Sequence, residues 1–114
     1  MEGIMKTIGR TLWGNQFSAC WLCGRRTTFG RQLETHEIAR GIHRSKAVCT
    51  PATWMRVCRQ CHDTLGSMSI AAQLALKKIN DPEWYDRIVV NRIRGRADEA
   101  ITENEVDEEV RRLI

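Results

Sequence analysis

The chain has 114 residues, of which 18 are Lys or Arg and 14 are Asp or Glu, giving a formal net charge of +4. That length fits one domain, or one small module with an appendage, and it limits the size of the core. No apolar run approaches the ~20 residues of a membrane span, and residues 1–6 lack the apolar stretch of a signal peptide, so a cytoplasmic protein that engages no membrane is expected.

In chain order, residues 1–19 carry no clean period and read as irregular or weakly helical, with Trp13 and Phe17 a turn apart around Gly14. The knuckle Cys20-Trp21-Leu22-Cys23 follows, and Gly24 gives it the backbone freedom of a tight turn. Residues 32–38 alternate Leu33, Thr35 and Glu37 against Glu34, His36 and Ile38, which predicts a short strand. Arg40, His43, Arg44 and Lys46 make residues 39–46 a basic loop. Thr50-Pro51 marks a turn; residues 53–57 predict a second strand, leading into Cys58-Arg59-Gln60-Cys61. A helix is expected from that knuckle to Gly66.

From Ser69 the pattern turns helical. Ile70, Ala71, Leu74, Leu76 and Ile79 give a stripe to about Asn80. Asp81-Pro82 predicts an N-cap and first helical residue for a helix over 82–94, with Trp84, Ile88 and Ile93 inward and Gly95 as its stop. Thr102 and Glu105 form a capping box for a last helix bearing Val106, Val110 and Leu113 on one face. These three short helices read as a buttress for the first half, and the runner-up is a homodimer surface.

Four of the five cysteines fall into the two C-x-x-C knuckles, separated by 34 residues. Each knuckle turns two sulfurs toward one point, and a tetrahedral zinc ion needs two such pairs. In a reducing cytosol paired cysteines read as metal ligands rather than disulfides. Cys20, Cys23, Cys58 and Cys61 are therefore the expected ligands of a structural Zn²⁺. Bound zinc contributes folding free energy directly to a small chain. Cys49 has no such partner and is expected to fill apolar space as a free thiol. The closed thiolate shell leaves His62, directly after Cys61, for another task.

Charge is uneven along the chain. Residues 1–66 hold ten Lys/Arg and four Asp/Glu, while residues 67–114 hold eight and ten. A basic first half suits a polyanion such as nucleic acid, although a basic surface can also be merely solvated.

The order C-x-x-C, a strand ending in His36-Glu37, then C-x-x-C-H resembles the zinc-bound HNH (ββα-metal, His-Me finger) endonucleases over about residues 18–66. Similar stretches occur in phage and prophage proteins. The resemblance implies an α+β fold, with a zinc-stapled ββα-metal module over 1–66 and a helical extension over 67–114. It also implies an endonuclease that hydrolyses DNA phosphodiester bonds, with double-stranded or branched DNA as its partner. By position, His36 and His62 become ligands of a catalytic divalent metal (Mn²⁺, Mg²⁺, Ni²⁺ or Zn²⁺) and Glu37 takes the place of the water-activating base. Arg40, Arg44 and Lys46 are then expected to hold flanking phosphates, and His43 is a further nucleic-acid-binding candidate that could instead approach the metal or be solvated. Two residues depart from the family pattern: Glu37 stands where histidine is usual, and Thr53 stands where an asparagine orients the base. A carboxylate is about two pKa units less basic than imidazole, yet it needs no tautomer fixed, so the two departures agree with each other. Glu37 also has a second reading, as a third metal ligand. Each histidine has a plainer reading too, His62 as a helix cap and His36 as a half-buried strand residue. The competing functional reading is a catalytically silent zinc-stapled module that binds nucleic acid or a protein.

Overall fold

The computed structural model of the protein describes residues 7–27, 32–38, 44–95 and 100–114. It is a small α+β structure with one two-stranded sheet and several helices. Helix α1 spans Arg10–Gly14, strand β1 Glu34–Glu37, helix α2 Arg44–Val48, strand β2 Trp54–Val57 and helix α3 Arg59–Leu65. Helices α4 (Ile70–Asn80), α5 (Arg87–Arg94) and α6 (Glu103–Leu113) follow. β1 and β2 pair antiparallel, with Glu34 opposite Val57, Thr35 opposite Arg56, His36 opposite Met55 and Glu37 opposite Trp54.

This register divides the sheet into two faces, because side chains alternate along a strand. Glu34, His36, Met55 and Val57 share one face; Thr35, Glu37, Trp54 and Arg56 share the other. On the second face Arg56 donates to Thr35 Oγ1 at 2.8 Å, and Arg10 of α1 sits over the Trp54 ring. An aromatic cluster closes that side. Trp13 lies 4.9 Å from Phe17, 5.5 Å from Trp54 and 5.9 Å from Trp21, between ring centroids.

One buried ammonium joins this cluster to α4. Lys77 is fully buried and donates to Pro51 O and Trp54 O, each at 2.9 Å, and to Asp81 Oδ2 at 2.6 Å. All three of its N–H donors are thus used, which is the condition for tolerating a buried charge. Trp13 Nε1 donates to the same Asp81 oxygen at 2.8 Å. Burial pulls the Lys77 amine down to about 8, against the opposing pull of Asp81. The core is continuous across the two halves, taking in Trp13, Trp54 and Leu65 as well as Leu74, Val90 and Val106.

Several expectations are met and several are corrected. The Thr102 capping box forms, with Glu105 N–H donating to Thr102 Oγ1 and Thr102 N–H to Glu105 Oε1, both at 3.2 Å. α6 then packs along α4, where Lys78 reaches Glu103 and Asp107 at 2.7 Å. The helix expected from Pro82 begins instead at Arg87. The cause lies in two aspartates: Asp81 is committed to Lys77 and Trp13, while Asp86 accepts from Val89 N–H and caps α5. Ile88 accordingly faces outward, 57 % exposed, rather than inward. The C-terminal end of the basic loop is helical, since α2 begins at Arg44. Cys49 is exposed and fills no apolar space. Among the described residues, no helix is long and apolar enough to cross a membrane.

Candidate metal centre and histidine cluster

The first knuckle is a miniature hairpin. Ala19 and Arg26 form an antiparallel bridge, Cys20 N–H donates to Arg25 O, and Gly24 N–H donates to Cys20 O, both at 2.9 Å. Closing so tight a loop puts Gly24 at φ 75°, a left-handed conformation that glycine adopts without a Cβ penalty. Trp21 N–H donates to Arg56 O at 3.0 Å and ties the hairpin to β2. The second knuckle spans a strand-to-helix junction. Cys58 is the N-cap of α3 and Cys61 lies in its first turn.

These two supports bring the Cys20, Cys23, Cys58 and Cys61 sulfurs mutually within 4.8 Å. Cys23 Sγ and Cys58 Sγ are 3.8 Å apart, far beyond the ~2.05 Å of a disulfide. A tetrahedron of Zn–S bonds of about 2.3 Å has sulfur–sulfur edges of about 3.8 Å, so spacing and donor chemistry both fit a structural zinc ion. Backbone groups already favour thiolate here. Burial raises the Cys20 thiol, but hydrogen bonds from the backbone of Cys23, Cys58 and Leu22 outweigh it and bring the group down to about 7. Burial pushes the Cys61 thiol up, reinforced by hydrogen bonds with the other three cysteines. The four cysteines can therefore hold a metal ion such as zinc, with sulfur as its whole donor set.

His62 follows Cys61 on α3, about 100° further round the helix. Cys61 faces the knuckles while His62 reaches the sheet face that carries His36. The two imidazoles meet edge to face, with ring centroids 5.1 Å apart. Each ring is oriented from behind. His62 Nδ1 lies 2.7 Å from Glu34 Oε1, and the Glu34 carboxyl is held below its ordinary value, first by the hydrogen bond from His62 and then by nearby Arg59. An ionised carboxylate can only accept, so His62 carries its proton on Nδ1 and the neutral ring keeps its lone pair on Nε2.

The same reasoning applies to His36. Gln73 of α4 gives its amide hydrogens to Leu65 O and Met68 O, each at 3.1 Å, which leaves Gln73 Oε1 as the atom 2.9 Å from His36 Nε2. His36 must donate to it, which places the lone pair of the neutral ring on Nδ1. Two imidazoles are a donor type that suits Zn, Mn or Ni better than Mg. Among the described residues, the four cysteines alone form a group of three or more His, Cys, Asp or Glu ligand atoms this close together. A third protein ligand for the histidine pair is not preassembled there.

The remaining expected site residues fall elsewhere. Glu37 is beside His36 in sequence but on the other sheet face, where its carboxylate forms an ion pair with Arg10. Arg10 also reaches Val48 O at 3.1 Å and Thr35 O at 3.3 Å. Thr53 is buried, and its hydroxyl lies 2.7 Å from Ala47 O and 2.9 Å from Thr50 O, so that its one hydrogen is spent on nearby backbone carbonyls. Arg40 and His43 lie outside the described residues, as does the side chain of Arg44; Lys46 is exposed on α2. Two residues of the cluster escape a sequence reading built on motifs. Glu34 was within reach of one, since alternation places it on the His36 face two positions back. Gln73 had no local signal, because only the docking of α4 brings it to β1. No known family profile matches the chain, and no curated protein or solved structure shows significant similarity to it.

Proposed function

We propose that the chain is a metal-dependent endonuclease of the HNH type, with a ββα-metal module that hydrolyses DNA phosphodiester bonds. The observation that carries this reading is the His36–His62 pair, each ring fixed in tautomer by a partner behind it and both set beside the cysteine cluster. A binding module needs no such pair. Metal-ligating histidines commonly give their other ring N–H to a carboxylate or carbonyl, which orients the ring and raises its basicity. Glu34 and Gln73 fit that role. His62 would present Nε2 and His36 Nδ1 to a divalent cation, which when bound supplies Lewis acidity to the scissile phosphate and the departing 3′-oxygen. Glu37, at the end of β1, is the carboxylate that the family resemblance assigns to take a proton from the attacking water. To do so it must part from Arg10 and come round the end of β1 to the face that carries His36 and His62.

That ion pair favours a second reading, a zinc-stapled module that binds nucleic acid without cutting it. Plasmid nicking with Mn²⁺, Mg²⁺, Ni²⁺ or Zn²⁺ separates the two. Wild type should nick, while His36→Ala and His62→Ala should not, with zinc content unchanged in all three. A wild-type protein that keeps its structural zinc and nicks with none of these metals would overturn the nuclease reading. Undiminished nicking by Glu37→Gln would remove Glu37 from the base role and leave the histidines in theirs.

A further inference from the structure

Arginines follow the first knuckle closely and one sits inside the second. Arg25 and Arg26 lie just beyond Cys23, and Arg59 is next after Cys58. Because the four cysteines converge, so do these segments. Arg25, Arg26 and Arg59 line a cleft of about 380 Å³, together with Gln32, Gln60 and Leu33.

The charge in this cleft is poorly compensated. Among the described residues, neither Arg25 nor Arg26 has a carboxylate within ion-pair distance; Arg25 spends one N–H on Gln60 Oε1 at 2.6 Å. Arg59 meets only Glu34, at 3.5 Å, with its side chain 80 % exposed, and Glu34 is already engaged by His62 at 2.7 Å. Among the described residues, three arginines thus line one concavity, and the carboxylate that meets any of them is Glu34, at Arg59. Low-dielectric concave walls concentrate such a field, and the planar guanidinium fork matches phosphate oxygens two at a time. Buried Leu33 gives the cleft an apolar surface for a sugar. The contact chain Arg59–Glu34–His62 leads from the cleft directly to the histidine pair.

We propose that this cleft is a binding subsite for the phosphodiester backbone of DNA, seating the strand that flanks the bond at His36 and His62. The inference rests on the nuclease reading for the identity of the neighbouring site. It gives the cysteine cluster a second consequence, since a metal that draws the sulfurs together also holds the arginines at one opening.

The test is fluorescence anisotropy of the zinc-loaded full chain with a short labelled DNA duplex at several salt concentrations. Each phosphate contact contributes a slope of about 0.9 to the dependence of log K on log salt. Arg26→Ala should lower the slope by about one contact, and the triple change of Arg25, Arg26 and Arg59 to Ala by about three. Arg26→Lys and Arg59→Lys should largely keep it. Zinc content checks folding; if the triple variant loses zinc, Arg26→Ala, whose side chain is exposed, decides. An unchanged slope in a zinc-retaining variant, or a wild type that binds no DNA at low salt, would overturn the subsite. The two readings fail separately. A wild type that nicks nothing yet binds through these arginines loses only the nuclease reading, whereas a nuclease whose slope ignores them loses only the subsite.

Discussion

The cysteine cluster and the histidine pair sit on consecutive residues, Cys61 and His62, yet they are built to opposite plans. The cysteines form a closed set of four like donors whose spacing already suits tetrahedral zinc. The histidines form a pair of rings, one held by Glu34 and the other by Gln73. In zinc proteins a closed shell serves folding and an open one serves chemistry, and the proposed function gives the two clusters those separate roles. One turn of α3 carries both because a helix points adjacent side chains in different directions.

If that contrast holds, the largest effect belongs to the closed set. Cys58→Ser, or removal of zinc by a strong chelator, should abolish cooperative unfolding altogether, as followed by circular dichroism. Structural zinc sites bind with about 10–16 kcal/mol, which rivals the whole stability of a domain of this size, about 5–15 kcal/mol. A chain that still melts cooperatively without zinc would break the comparison on the cysteine side. Next comes the open pair. His62→Ala should cost about 10²-fold or more in metal-dependent nicking while moving the melting temperature little. Loss of the fold in this variant would mean that the histidine also serves structure.

A control outside both sites sharpens the distinction. Lys77 has its amine lowered by burial from an ordinary 10.5 to about 8. The unfolded chain therefore binds more protons than the folded one between those values. The Lys77 contribution to stability is then most unfavourable below pH 8 and improves as pH rises toward 10.5. Urea midpoints of wild type should show this rise relative to Lys77→Met, which lacks the titration. Lys77→Met itself should cost about 3–5 kcal/mol, because Asp81 stays buried without its partner. The smallest expected effect is that of Glu34→Gln. Affinity for the catalytic metal should fall by about 10-fold, read by titration with Mn²⁺ or Ni²⁺. Because the Glu34 carboxyl is lowered in the folded state, its stabilising contribution is present above the ordinary carboxylate range and lost as pH falls through the lowered value. The variant should lack that part of the acid loss seen in wild type.

How much of this could be read from the residues depends on distance along the chain. The knuckles, the short strands around them and the Thr102 capping box rest on local spacing, and they appear where spacing puts them. The pairing of His36 with His62 was also foreseeable, given a strand before the second knuckle and a helix after it. Strand alternation separates Glu37 from His36 and brings in Glu34, a result implicit in the pattern but hidden by attention to the His-Glu dipeptide. Gln73, Arg10 and Lys77 were not legible. Each has at least one partner 23 or more residues away, chosen by packing, and no local period encodes such a choice. The late start of α5 has the same origin in part, since Asp81 makes a credible cap until Trp13, 68 positions away, claims it together with Lys77.

The Trp13–Asp81 bond has a consequence for synthesis. Its partners are 68 positions apart, and Cys61, the last cysteine of the cluster, lies between them. During translation, a metal ion could therefore be gathered by the four cysteines while α1 still lacks its anchor at Asp81. Trp13, Trp21 and Trp54 would stay incompletely covered until α4 leaves the ribosome and delivers Lys77 and Asp81. The order of emergence makes the metal knot the early event and the aromatic core the late one. Any slowing of synthesis between residues 61 and 81 would lengthen the time for which an already metallated chain exposes a sticky face.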